Sequence, residues 1–452
     1  MSRASTSARS RCHAVHGFLV AVVVLLSGCE SYAPAPLDRQ ARLAEHLSDL
    51  EFAHGPGPLS IEAVSLLAVE HNPDLRAARA QRGVAAAQVL QAGILPNPSV
   101  TTSYAFLLGG PGTVGAFTAS LGQDIKALVT LSAKRRSAIA AAQQIDASLL
   151  WQEWQTIGKA RLLVVDIVEG ERQRRLLAEA QRVLEARLGL ERQALAQGNT
   201  TLAIVVPALT AVADIRKQLD DFDRQQQTRR RDLDALLGLA PDVPLQLDER
   251  LDLPPIDPAG VTALLPNLAD RRPDLIALQL GYRSEEEKVR IAILAQFPAL
   301  VFGGTGGRDT SDVQSAGPQI TMDLPIFDRS QGKIAVERAT RQQLYDEFST
   351  RLATAKAEVR GMQAEAALLA SQIDTVRKQV RDLRKAAVQA EPAYRAGNID
   401  ERSYVDIVVA SLAKAQELVV LDQLRLERLI ALATMVGAGM PSAALPQTEP
   451  RQ

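Results

Sequence analysis

The sequence predicts a mainly α-helical chain with a smaller membrane β part. Long coiled-coil helical hairpins and four β-strands are arranged as two copies of one plan. Three observations carry this prediction. First, landmarks return in order about 199 residues apart: Asn72-Pro73-Asp74-Leu75 and Arg272-Pro273-Asp274-Leu275, Asp124 and Asp323, Gln197-Gly198-Asn199 and Ala396-Gly397-Asn398, Leu237-Gly238 and Val436-Gly437. Solenoid units repeat every 20–50 residues or so, which makes this a duplicated half-protein. Second, apolar residues from Phe348 to Ala387 step by threes and fours, a heptad seam. Third, short segments between the helices alternate apolar and polar, as strands with one greasy face do.

The chain divides into a leader (1–28), a tether (29–59), a first repeat (60–240), a proline-rich connector (241–259), a second repeat (260–437) and a polar tail (438–452). In the leader, Arg3, Arg9 and Arg11 precede an apolar run, FLVAVVVLL, from Phe18 to Leu26. A spanning helix needs about 20 apolar residues, so this run suits a signal-peptide core instead. Leu26-Ser27-Gly28-Cys29 resembles the bacterial lipobox, in which the cysteine is lipidated and becomes the first residue. Glu30 follows, not the aspartate that retains lipoproteins in the inner membrane, and this points to the outer membrane. Cys12 leaves with the leader, so the mature chain has no disulfide and no cysteine metal site.

Ser60 is an N-cap candidate for the first helix, with Glu62 and Ala63 in the first turn. Asn72-Pro73 breaks it, and a second helix runs to Ile94, where Pro96-Asn97-Pro98 stops it. Strands are predicted over 99–108 and 113–124 around Gly109-Gly110-Pro111-Gly112, and again over 298–305 and about 316–324. Four strands cannot close a barrel, and an open edge in lipid leaves backbone groups unpaired, so other copies must complete it. Long helices are predicted from about Leu131 to Gln197 and from about Ser330 to Ala396, each followed by a shorter helix that returns along it. A rod of some 65 residues is roughly 100 Å long. The hairpins turn at Gly198-Asn199 and Gly397-Asn398, where glycine supplies the C-cap. In the last helix Asp422 breaks the apolar series.

These residues together resemble the TolC family of outer-membrane efflux proteins in its lipid-anchored branch. The resemblance runs from Cys29 to Gly437 and rests on Arg272-Pro273-Asp274-Leu275, on Asp323-Leu324-Pro325-Ile326-Phe327-Asp328, on the tip glycines and on Leu237-Gly238. It implies a homotrimer with a twelve-stranded barrel and a periplasmic α-helical barrel. It also implies a periplasmic adaptor and an inner-membrane pump, usually of the resistance-nodulation-division class, for which the protein is a passive exit duct. Leu95-Pro96-Asn97-Pro98 and the stretch Pro325 to Gly332 resemble the heavy-metal and cation efflux members. The family places inward aspartates after the second tip glycine. Asp406 matches the first such position, as a candidate periplasmic gate, while Val409 stands at the second. The other reading of Asp406 is a solvated charge near a helix start, where aspartate is favoured. Gly198, Asn199, Gly397 and Asn398 are candidate adaptor-docking tips. Arg395 and Arg402 flank the second tip, where each reads either as a plain surface charge, the favoured reading, or as an ion-pair partner between neighbouring helices.

Formal charge is −1, from 51 basic and 52 acidic residues, which gives no electrostatic case for nucleic acid. Gly303-Gly304-Thr305-Gly306-Gly307 lacks the Lys-Ser/Thr of a phosphate loop and is assigned to an extracellular barrel loop. His46, His54 and His71 share no metal-ligand spacing. No catalytic motif, metal site or cofactor is expected, apart from covalent lipid on Cys29. Trp151 and Trp154 mark either a membrane–water interface or the helix seam. Two rivals to the efflux duct remain: the outer-membrane part of a type I protein secretion system, and a lipid-anchored periplasmic coiled-coil scaffold without a pore.

Overall fold

A computed structural model describes residues 32–40, 43–50, 57–253 and 258–440. Cys29, the leader and residues 441–452 of the tail therefore lie outside the described residues. The chain forms two units, Met1–Leu43 and Ala44–Gln452. The described residues of the first carry no helix or strand.

Ser60 accepts a bond from the Ala63 amide and opens α1 (Ile61–His71). Asn72 ends α1 and caps α2 (Pro73–Gly93), its side chain accepting from the Leu75 amide at 2.9 Å. The strands β1 (Ser99–Ala105) and β2 (Ala116–Asp124) follow. Asp124 then caps α3 (Ile125–Ala196) directly, through the Ala127 amide at 2.9 Å. This cap is why α3 begins six residues before the expected Leu131. The helix has 72 residues, roughly 110 Å. It turns at Gly198 into α4 (Leu202–Leu237), which ends at the left-handed Gly238.

The second repeat runs through α5 (Pro258–Leu264), α6 (Leu268–Arg271), α7 (Pro273–Leu294), β3 (Leu300–Arg308), β4 (Gln314–Met322), α8 (Gln331–Arg395) and α9 (Glu401–Val436). The repeats differ after the strands. Asp323 caps no helix. Seven further residues, including Pro325, intervene before α8 starts behind Ser330, itself left-handed at φ 58°.

Packing centres on α3, which touches α1, α2, α4, α7 and α9. α8 lies against α7 and α9. The helices thus form the row α4, α3, α9, α8, open at both ends. The largest core joins Ile61, Val64 and Leu67 of α1 to Val164 and Val165 of α3 and to Leu233 and Leu237 of α4. Burial of each such side chain contributes about 1.5–3 kcal/mol. Leu50 and Leu59, with Val243, Leu245 and Leu247, pack on the same core, and Leu59 bridges to Leu247. These parts of the expected tether and connector therefore belong to the folded body. The heptad seam of α8 holds throughout: Ala355, Val359, Leu369, Ile373 and Val376 are buried, and the other seam positions are half-buried.

The sheet is an antiparallel meander, β1-β2-β3-β4. The strands have seven to nine residues, and their limits shift by two or three from those expected. Gly303 to Gly307 is strand, not loop. A Cβ on Gly303 would lie 1.9 Å from the Leu121 carbonyl oxygen, and one on Gly307 2.5 Å from that of Phe117. Glycine is what lets β2 and β3 approach so closely. The tryptophans belong to the helix seam. Trp154 is buried and donates to the Thr434 carbonyl at 3.0 Å, and Trp151 lies under the Arg272 guanidinium at 4.8 Å. Both stand more than 25 residues into α3, roughly 40 Å from the sheet, too deep for the membrane interface.

Candidate functional site

The two hairpin turns are near copies. Gly198 and Gly397 sit at φ 72° and 73°, the left-handed region that favours glycine. Asn199 and Asn398 donate backbone bonds to Ala194 and Ala393, five residues back, in the Schellman pattern. All four tip residues are exposed. Leu202, Val206 and Leu209 leave an exposed apolar stripe beside the first tip. The second tip is polar and more tightly held. Asp400 caps α9 through the Ser403 amide at 2.7 Å. Hydrogen bonds from the Ser403 hydroxyl and amide hold its carboxyl below the usual range. Tyr394 and Tyr404 stack across the turn with ring centres 5.1 Å apart.

Asp406 lies one turn further along α9 and is more than half exposed. It is not a free acid. Nη1 of Arg187 on α3 donates to its carboxylate at 3.0 Å, while Nε of the same guanidinium donates to Glu191 at 2.8 Å. Arg187 is itself buried. Burial, and then the nearby Glu191, push the Glu401 carboxyl above its ordinary range. Arg187 is the residue that sequence reasoning missed. A signal was present, because it occupies an inward slot beside Leu184 and Leu188 where the seam calls for an apolar residue. Within the chain, Arg395 and Arg402 each pair along their own helix. Arg395 pairs with Glu391 of its own helix, and Arg402 reaches Asp406 of its own helix at 3.9 Å. Four residues separate each pair, and that spacing brings them together on one helix face before any other helix is in reach.

A second polar cluster lies near mid-shaft. Gln173 donates to Gln423 at 2.6 Å, and Gln423 donates to Asp166 and to Glu427, each at 2.8 Å. Burial, and then a hydrogen bond shared with Asp166, raise the Glu427 carboxyl. Asp422, the break in the apolar series, faces Arg377 of α8 at 3.8 Å and Arg425 at 3.5 Å.

The sheet has two chemically distinct faces. Residues paired directly across strands share a face. Val100, Leu121, Phe302 and Ile320 lie on one side, where the register pairs Val100 with Leu121 and Phe302 with Ile320. Each is more than half exposed. Ser99, Thr101, Ser120, Thr305, Gln319 and Thr321 occupy the other side, with glycines between them. Among the described residues, β1 and β4 are unpaired along their outer edges.

The sequence profile described as "Outer membrane efflux protein" matches residues 64–239 and 264–438, most of the chain and one stretch per repeat. The chain belongs to the outer membrane efflux protein family. Its fold is that of solved TolC-type channels. A membrane protein from Pseudomonas aeruginosa superposes with a TM-score of 0.70 at 19% identity, covering 91% of this chain and 98% of that one. The CmeC outer membrane channel of Campylobacter jejuni gives 0.70 at 14% identity, covering 92% and 95%. The open state of the MtrE outer membrane channel of Neisseria gonorrhoeae gives 0.61 at 17%, covering 91% and 99%. No curated protein matches the sequence. No helix among the described residues is long and apolar enough to cross a membrane. The hairpin tips and the Arg187–Asp406 pair lie at the end of the long helices away from the sheet.

Proposed function

We propose that this chain is the outer-membrane exit duct of a tripartite efflux system, conducting solutes passively from an inner-membrane pump and a periplasmic adaptor. The observation that carries the reading is the two-faced sheet with open edges. An apolar face suits lipid, a face of Ser, Thr, Gly and Gln suits a water-filled lumen, and unpaired edges call for further strands. Three copies supply twelve strands, and the open helix row α4, α3, α9, α8 closes into a second ring below. A pore-free scaffold has no use for such a sheet.

In this reading Cys29 carries the lipid anchor, Gly198, Asn199, Gly397 and Asn398 dock the adaptor, and Asp406 lines the narrow mouth. The pump would be of the resistance-nodulation-division class, the usual partner in the family that the chain resembles. Purified protein in a planar bilayer should form discrete channels, with a native mass of three chains. A stable monomer without conductance would sink the proposal. Loss of lipid labelling in Cys29→Ala tests the anchor independently.

A further inference from the structure

Where the sheet meets the helices there is a recess of about 270 Å³ lined by Ile125, Val129, Leu294, Phe297, Leu300 and Met322. It falls below the roughly 300–1,000 Å³ of pockets that take drug-sized ligands. Leu300 and Met322 pair directly at the foot of β3 and β4, on the same face as the Phe302 and Ile320 pair two residues further on. The recess thus continues the apolar face of the sheet. Its walls come from the helix that follows β2 and the helix that precedes β3, the two inner strands. The feet of β3 and β4 complete it, so it lies within one chain and reaches the edge strand β4 at Met322.

Two polar residues border it. The Thr130 hydroxyl is spent on the Lys126 and Ala127 carbonyls of its own helix. Lys126 differs. Its ammonium donates to the Ala295 carbonyl at 2.9 Å and to that of Phe297 at 2.7 Å, which fixes the charge at the rim. An ammonium has three donors, so one remains. Among the described residues no carboxylate pairs with it. A pinned cation with no carboxylate partner among the described residues, beside an apolar slot, matches a phosphodiester joined to an alkyl chain.

We infer that this recess binds one membrane phospholipid per chain, with an acyl chain in the slot and the phosphate on Lys126. The inference rests on the reading that the apolar sheet face meets lipid. It adds a defined site at the level of the headgroups, where the sheet hands over to the shaft.

The test uses full-length protein, delipidated in detergent, with dioleoylphosphatidylglycerol added and native mass spectrometry as the readout. Binding should saturate at one lipid per chain. Dioleoylglycerol, which lacks the phosphate, should bind at least about tenfold more weakly, the scale of one lost charge-assisted hydrogen bond, and glycerol 3-phosphate, which lacks the chains and their apolar burial, should also bind at least about tenfold more weakly. Lys126→Gln should weaken binding by a similar factor and Lys126→Arg should retain it. Val129→Trp, which fills the slot and leaves the lysine in place, should abolish it. Planar-bilayer conductance of each variant reports the duct separately. Conducting variants that bind lipid as the parent does, or a parent that takes lipid without saturation, overturn the site and leave the duct standing. A parent that never conducts overturns the duct reading instead.

Discussion

Arg187 and Asp406 lie 219 residues apart in sequence, yet a 3.0 Å bond joins them where α3 and α9 approach the tips. The arginine is buried and the aspartate is not. The pair therefore ties the second hairpin to the first within one chain. An exposed carboxylate alone would set only the local charge. Held by Arg187, it also sets the position of α9.

Removal of either partner should loosen the mouth, but at different cost. Arg187→Ala leaves Glu191 without its guanidinium as well, and should destabilise by about 1–3 kcal/mol. Asp406→Ala should cost about 1 kcal/mol or less because the site is exposed. Both should raise single-channel conductance, and Asp406→Ala should also lower cation preference. Unchanged conductance and selectivity in Asp406→Ala would rule out the gate assignment.

Gly170 allows α4 to lie close on α3. A Cβ there would meet Nε2 of the buried Gln226 at 1.4 Å. Gly170→Ala should destabilise by about 1–3 kcal/mol through overpacking. Gln226→Ala added to it should recover much of the loss, measured as a non-additive double-mutant cycle in denaturant unfolding. Additive effects would mean that the contact is not the cause.

Glu427 makes the shaft sensitive to acid in the direction opposite to most surface carboxylates. Burial, and then Asp166, raise its folded pKa above the unfolded value of about 4.3. The folded state therefore holds the proton more tightly. The stability this contributes is complete below about 4.3 and is lost as pH rises through the raised value. Glu427→Gln keeps an amide toward Asp166 and removes the titration. It should melt higher than the parent at neutral pH, with the difference shrinking as pH falls toward 4. An equal gain at both pH values would exclude the linkage.

The two faces of the sheet should respond oppositely to charge at the same depth. Leu121→Arg places a cation on the lipid side and should cost about 2–4 kcal/mol near the bilayer midplane, falling toward the interface. It should reduce the fraction recovered in outer-membrane vesicles. Ser120→Arg, on the other face, should insert normally and alter ion selectivity. Equal insertion of both would invert the lumen assignment.

Much of the architecture was legible in the residues. The seam from Leu344 to Ala387 faces inward along its whole length, because a three–four step stays on one side of a helix whatever it packs against. The strand faces were equally readable, since alternation of two fixes which side chains stand together. Gly303 to Gly307 was not. Glycine in isolation signals a loop, and only the approach of Leu121 and Phe117 from β2 shows that bare backbone is needed there. The choice between the two readings of the tryptophans was not legible either, because their partners Thr434 and Arg272 come from the far repeat.

By itself the sequence determined the duplicated plan, the long helices, the tip turns at Gly198 and Gly397 and a sheet with one apolar face. Each follows from period, capping or backbone freedom over a few neighbouring residues. Tertiary structure alone decided that Asp406 answers to Arg187, that Gln423 links Asp166 to Glu427, and that Lys126 is pinned by Ala295 and Phe297 beside an apolar slot. Those pairings depend on the relative rotation and height of helices far apart in the chain. A periodic pattern fixes which face of a helix is buried, and leaves open which residue of another helix it meets.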